Sequence, residues 1–335
     1  MTSKKIDPDQ HGAALSFPRD YGRHPNAEIE WWYVYSFLND RYAFMACFWR
    51  YHGRMGTADG WMTAYSLVEI AGDERRRKTW IDRPLFLQTR ETMKHSQQQR
   101  HDPFLEAVLE ITANGDVFKP YHLADAASLE SSDARPVSVA VGPCSFYYDA
   151  EGQGLQLLID EEGLQVQLAL DLSDGWFPMN FSGVFEIDGQ KMWGYTHPRA
   201  SITGTVALDG RTEQISGNSW FDHQWGEWLF EHPIAESFHP MWNYYAVLLD
   251  GGQSLVLYEA KRPGQNGFDR DVVYALLLDS DGTLSALNKP VIVCRDHVES
   301  LRTNNLYVCG WTIEIADLDL NLDLVPFHLD QDVCV

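Results

Sequence analysis

A succession of short, aromatic-rich segments punctuated by turn residues is what most restricts the fold of this chain. Residues 30–38 are aromatic and β-branched, Asn39-Asp40 supplies a turn, and residues 41–51 run back. That is a hairpin signature, because Asn and Asp tolerate the left-handed backbone that a two-residue turn requires. Residues 61–70 form a third strand, ended by Ala71-Gly72-Asp73. The pattern resumes at 136–141, 145–149, 155–159 and 164–170, where Leu164-Gln165-Val166-Gln167-Leu168 alternates as a half-buried strand does. It continues at 195–208, 214–220, 244–249, 254–260, 271–278, 291–295 and 311–315. No long amphipathic helix interrupts it. Residues 80–103 read as a loop or one short helix over a barrel end, and Glu74-Arg75-Arg76-Arg77-Lys78 as a solvated turn.

Such spacing predicts an all-β chain of antiparallel barrels or sandwiches. It breaks at Asp174-Gly175-Trp176-Phe177-Pro178, so two domains are expected. Residues 1–175 would form an N-terminal barrel behind a polar arm, and residues 176–335 a second barrel of similar style.

Composition narrows the function. Aromatic residues make up 13% of the 335, with 12 Trp, which suits either an aromatic β core or an apolar ligand cavity. The net charge of -22 repels nucleic acid and anionic lipid, so neither is an expected partner. Five cysteines, an odd number with no CxxC pair, fit reduced thiols in the cytoplasm. No Cys/His cluster has zinc spacing, so no metal is expected. The polar start Met1-Thr2-Ser3-Lys4-Lys5 shows no signal peptide, and no apolar run predicts membrane insertion. There is no GxSxG, P-loop, GxGxxG or HExxH, so no cofactor is expected. Nothing in the sequence sets an oligomeric state.

Two stretches carry candidate chemistry. In Gly217-Asn218-Ser219-Trp220-Phe221-Asp222-His223-Gln224-Trp225, a carboxylate and an imidazole lie side by side between indoles. On a strand, Asp222 and His223 face opposite ways; at a bulge both can face a cavity. A carboxylic acid in an apolar pocket can keep its proton near neutral pH and donate it, and the π faces of Trp220 and Trp225 suit a developing cation. The plainer alternative is a turn cap beside a satisfied histidine. The second stretch is His24-Pro25, Glu28 and Glu30-Trp31-Trp32-Tyr33. If extended, Glu30 shares a face with Glu28 and Trp32, while Trp31 and Tyr33 share the other. A carboxylate entering an aromatic strand needs a partner, and Arg199, after Tyr195 in the run Tyr195-Thr196-His197-Pro198-Arg199, is a candidate for Glu30, Asp222 or a ligand carbonyl.

Together these stretches resemble the hydroxyneurosporene synthase (carotenoid 1,2-hydratase) family, with its AttH-type relatives and the fungal lipocalin-like Diels–Alderases. The matching residues are His24-Pro25, Glu30-Trp31-Trp32-Tyr33, Trp193-Gly194-Tyr195-Thr196-His197-Pro198-Arg199, the stretch 217–225, and Leu248-Leu249-Asp250-Gly251 leading to Leu257-Tyr258. They span roughly residues 20–330. The resemblance implies two tandem lipocalin-like (calycin) β-barrels with an apolar pocket near their interface, and cofactor-free chemistry on polyenes or other isoprenoids. It implies Asp222 as the proton donor, with His223 and Glu30 as further catalytic candidates. Trp31, Tyr33, Tyr195, Arg199, Trp220 and Trp225 are the expected substrate-binding residues. Members commonly carry a further Trp- and Gly-rich strand pair beyond the point where Cys334-Val335 ends this chain, and many carry export signals.

Three readings follow. The first is an enzyme that hydrates or cyclises a hydrophobic polyene or terpenoid by protonation, or folds it for a pericyclic closure. The second is a lipocalin-like carrier. In the third, both motifs pack against each other as framework.

Overall fold

The computed structural model describes residues 3–5, 15–52, 59–100, 106, 109–110, 112–113, 121–130, 136–149, 154–173, 175–187, 190–226, 241–264, 267–300 and 306–329. Two compact units emerge. Strand β1 (Ser3–Lys5) belongs to the smaller one. The larger, Gly12–His239 with Val333–Val335, carries β2 (Ile29–Leu38), β3 (Tyr42–Tyr51), β4 (Gly60–Glu69), β5 (Arg75–Asp82), helix α1 (Arg83–Arg100), β6 (Tyr121–Ala124), β7 (Ser128–Glu130), β8 (Ser138–Val141), β9 (Cys144–Asp149), β10 (Gly154–Glu161), β11 (Leu164–Asp171), β12 (Phe177–Pro178), β13 (Val184–Ile187), β14 (Gln190–Leu208) and β15 (Arg211–Gly226).

These strands form one sheet in the order β6-β5-β4-β3-β2-β15-β14-β11-β10-β9-β8-β7, with β12 and β13 also on β14. All its pairs are antiparallel except β5 with β6. The all-β expectation holds, and the hairpin turn is as read: Asn39 and Asp40 both have φ 52°, the left-handed values such a turn demands. Glu74-Arg75-Arg76-Arg77-Lys78 is not a turn. Residues 75–82 form a strand whose cations find acceptors in Glu74, Asp209 and Glu161.

The sheet curls until its two arms meet. Along β11, Leu164, Val166, Leu168 and Leu170 are buried while the residues between them are open or half-open. Those leucines and valine join Trp32, Phe44, Phe48 and Trp61 of the other arm in one core, where Phe146 lies 5.2 Å from Trp32 and 4.6 Å from Phe48. Glu161, at the end of β10, ties the arms together by accepting hydrogen bonds from Tyr65 Oη and Trp80 Nε1, both at 2.7 Å, and from Lys78. Burial alone would raise its carboxyl, but those donors hold it below the usual range. Gly142 permits the closure. It has φ +58°, and a Cβ there would lie 2.7 Å from the Trp80 ring.

Helix α1 covers part of this sheet. Asp82 accepts the Leu85 backbone N–H at 2.9 Å as its N-terminal cap, and Pro84 sits in the first turn, where no N–H is needed. Leu85 and Phe86 then pack on Met62 and Ile81.

The expected division at 175/176 falls inside this larger unit. β11, before that point, pairs with β14, after it, from Leu164↔Leu208 to Asp171↔Ser201. The smaller unit is Met1–His11 with Pro240–Asp332, and adds β16 (Met241–Leu248), β17 (Ser254–Gly264), β18 (Gly267–Leu278), β19 (Thr283–Ala286), β20 (Val291–Glu299), β21 (Leu306–Ile315) and β22 (Leu320–Leu324). They form the sheets β1-β19-β18-β17-β16 and β20-β21-β22, joined through Leu255, Leu257 and Leu277 against Ile313 and Ile315. Residues 3–5 of the expected N-terminal arm are thus an edge strand of this unit. No helix of the described residues is long and apolar enough to cross a membrane.

Candidate functional site

The pairing of β15 with β2 and β14 decides which candidate residues meet. Asp222 lies opposite Tyr33 and Thr196; His223 lies opposite Trp32 and Tyr195. Side chains alternate across strands, so the motif residues divide into two sets. Glu30, Trp32, Tyr195, His197, His223 and Trp225 share the inner face of the curled sheet. Trp31, Tyr33, Thr196, Trp220 and Asp222 share the other.

The inner set is a closed network. Glu30 is fully buried. Its Oε1 meets His24 Nδ1 at 2.8 Å and His223 Nε2 at 3.0 Å, and accepts the His24 backbone N–H at 2.9 Å. Its Oε2 faces Arg50 at 3.4 Å, directly across on β3. Arg50 in turn donates to Asp59 at 2.8 Å and to the backbone carbonyls of His24 and Pro25. Asp20 anchors the far side. Its Oδ1 lies 3.2 Å from His24 Nε2, and its backbone carbonyl accepts from His223 Nδ1 at 2.9 Å and from Tyr195 Oη at 3.0 Å. The His24 ring stacks on Trp225, with centroids 3.7 Å apart and planes 3° from parallel.

The electrostatics follow from these contacts. Burial would raise the Glu30 carboxyl, yet hydrogen bonds from His223 and His24 hold it at about 2. Asp20 is likewise lowered to about 2 by His24, Arg19 and Ser16 against the effect of burial. For His24, burial is outweighed by the two carboxylates and the imidazole is raised; both its nitrogens face carboxylate oxygens, so both carry hydrogen. His223 is fully buried and lowered. Because its Nδ1 faces a carbonyl oxygen, its contact with Glu30 requires a proton on Nε2 or on Oε1.

Beside this network lies an aromatic box. Tyr21 stacks on Tyr148 at 4.1 Å, and Phe17 lies 4.5–4.8 Å from Tyr21, Trp176 and Tyr195. His197, buried within it, is 3.3 Å from Tyr21 Oη; burial pushes it down to about 3, so it is neutral.

The outer set is organised around Asp222, which is 3% exposed and accepts a hydrogen bond from Thr196 Oγ1. Tyr33 flanks it, buried enough to push its hydroxyl far up, with the Asp222 charge adding to the shift. Cys47, opposite Tyr33 on β3, is raised for the same two reasons. Trp220 is buried two residues away and meets Phe177 edge-on. Trp31 is diagonal to Asp222 and half-buried.

The expected site residues are therefore not one cluster. Glu30, His223, Tyr195 and Trp225 come together on the inner face; Asp222, Trp31, Tyr33 and Trp220 on the outer. Arg199 lies within the register shift of β14 between His197 and Ala200, and the guanidinium partner of Glu30 is Arg50. Asp20, Tyr21 and Arg50 carry no motif of their own. Arg50 was not readable by counting back from a two-residue turn at 39–40, which would set Trp49 opposite Glu30; the extra unpaired residue Arg41 shifts the register so that Arg50 takes that place.

A model of the AttH-like family matches residues 8–334. No curated protein matches the chain in sequence. Among solved structures, an AttH-assigned protein of Nitrosomonas europaea superposes with a TM-score of 0.67 at 18% identity, covering 95% of this chain and 86% of that one. Kievitone hydratase from Nectria haematococca gives 0.61 at 12%, covering 96% and 82%. CghA with Sch210972 gives 0.50 at 11%, covering 86% and 71%. At these identities the likeness is one of fold.

Proposed function

Because the chain belongs to the AttH-like family, we propose that it is an enzyme of the hydratase or cyclase kind, acting on C=C bonds of a hydrophobic small molecule, and that its chemistry lies on the Asp222 face. The observation that carries this reading is the division of the motif residues. His24, His223 and Glu30 face one another with their ring nitrogens and carboxylate, whereas Asp222 sits among Tyr33, Trp31 and Trp220. A hydratase among the solved structures of similar fold, and the resemblance to carotenoid 1,2-hydratases, support the reaction class.

In the mechanism, the Asp222 carboxyl transfers its proton to one carbon of a substrate double bond. The other carbon becomes a carbocation, held against the π faces of Trp220, Trp31 and the Tyr33 ring. Water then adds to the cation and returns a proton to the Asp222 carboxylate, so the net change is addition of water. If a second double bond of the substrate lies closer than water, it attacks instead, and loss of a proton to Asp222 leaves a ring. Thr196 fixes the carboxyl's rotation through its hydroxyl hydrogen bond. The inner network holds β2, β15 and the 20–30 segment in register beneath this face. Folding a long substrate against an aromatic wall contributes up to about 7–11 kcal/mol through orientation. We assign the substrate to the polyene or isoprenoid class, and the protein to the cytoplasm on its free buried cysteines Cys47 and Cys144.

The test is capture of the bound molecule. Protein purified from its own host is extracted and the extract analysed by mass spectrometry. A polyene or prenylated compound that is lost from Trp220→Ala and Trp31→Ala proteins supports the reading. A ligand retained by both variants removes the site from this face.

A further inference from the structure

We propose that His24, Glu30 and His223 form a binding site for a divalent first-row transition cation of the zinc class. Their ligand atoms, His24 Nδ1, Glu30 Oε1 and His223 Nε2, lie within 4.8 Å of one another. Two imidazole nitrogens and one carboxylate oxygen are a donor set that zinc and its neighbours take, with an open position left for water or a ligand. Linear spacing hides the set, because its members are 6 and 193 residues apart.

What separates a metal cradle from an ordinary ion pair is the treatment of the far sides. Here every donor is fixed from behind. His24 Nε2 points at Asp20 Oδ1, 3.2 Å away. His223 Nδ1 donates to the Asp20 backbone carbonyl at 2.9 Å. Glu30 Oε2 is held by Arg50 and shares the His24 backbone N–H with Oε1, so Oε1 is the oxygen that faces both imidazoles. This is how ligating histidines and carboxylates are oriented in metal proteins: the outer partner sets the tautomer and the ring plane. One residue, Asp20, orients both imidazoles.

Charge is compatible with a dication. Arg50 brings a positive charge near Glu30, but its Nε is paired with Asp59 at 2.8 Å, and Asp20 and Glu30 supply two carboxylates at the cluster. The cation takes the place of the hydrogens that lie between Glu30 Oε1 and the two imidazoles. Bonds of about 2.0–2.2 Å to each donor then require the imidazoles to back away slightly from their present 2.8 and 3.0 Å contacts with that oxygen. An approach route exists. The His24 side chain is 20% exposed and, with Trp225, Trp193 and Glu28, lines an open depression of about 420 Å³. The inference is independent of the Asp222 chemistry, since none of these atoms takes part in it.

The experiment uses the full chain, stripped with a chelator and dialysed against Zn²⁺ and, separately, Co²⁺. The expected result is one equivalent bound per chain, with Co²⁺ giving the visible absorption of a low-coordinate nitrogen–oxygen site. His24→Ala, whose side chain lies at the rim, is expected to abolish both. Asp20→Asn, which touches no cation, is expected to weaken binding about 10–100-fold, and His328→Ala, outside the cluster, to leave it unchanged. Circular dichroism of each variant separates loss of binding from loss of fold. No stoichiometric binding by the wild-type chain, or binding that survives His24→Ala in a folded protein, overturns the proposal and leaves the cluster a proton-bridged network.

Discussion

Asp222 and His223 are consecutive, both buried, and on opposite faces of β15: one takes its hydrogen bond from Thr196, the other faces Glu30 at 3.0 Å. That single alternation assigns the two conspicuous motifs of the chain to different tasks. The His223 side fastens β2, β3, β14, β15 and the segment before β2 together. The Asp222 side is where a carboxyl sits among rings.

If the inner network is framework, cutting it destabilises the fold. Glu30→Gln removes the charge that His24, His223 and Arg50 share. Breaking a buried ionic network by losing one partner typically costs about 3–5 kcal/mol. Chemical denaturation should show the midpoint fall by a corresponding amount with little change in slope.

His197 makes an acid-sensitive contribution. Its folded pKa is depressed to about 3 by burial, against 6.5 for the free imidazole. The unfolded chain therefore binds a proton that the folded chain refuses, so stability is highest above pH 6.5 and is lost as pH falls toward 3. Each unit of depression corresponds to about 1.4 kcal/mol. A His197→Gln protein should lose less melting temperature than the wild type between pH 6.5 and pH 3, whatever its stability at neutral pH.

The seam at Glu161 is open to a similar test. Glu161→Gln keeps the size of the side chain but removes the charge that faces Lys78, and turns one acceptor of Tyr65 or Trp80 into a donor. Leaving one of those buried donors unsatisfied should cost about 1–3 kcal/mol. Thermal melting checks it. A melting temperature equal to the wild type's would mean that the arms of the sheet are held by their apolar core alone.

Much of the fold could be read from residue order, because local turn chemistry fixed it. Asn39-Asp40 place the turn between β2 and β3, though the extra unpaired residue Arg41 shifts the register by one and brings Arg50, not Trp49, across from Glu30. The alternation in 30–33 already put Glu30 with Trp32 and against Trp31 and Tyr33. What residue order could not supply is pairing across long separations. The shift in β14 between His197 and Ala200 moves Tyr195 opposite His223, where a regular hairpin from the turn at 209–210 would have set Thr196. The strand 75–82 was obscured because charged side chains make a poor β signal, and their acceptors Asp209 and Glu161 come from distant turns and strands. The division at 175/176 followed a real break in spacing, but the sheet continues across it through β11 and β14.

The most direct test is the turnover of Asp222→Asn on the compound captured from the native protein. The amide keeps the volume and the Oδ1 acceptor that Thr196 uses, but carries no acidic proton. With general acid catalysis at this position, the rate should fall about 10²–10⁴-fold in a protein whose circular dichroism matches the wild type. Turnover at the wild-type rate would contradict Asp222 as the proton donor and leave catalysis, if any, to the shape of the aromatic wall.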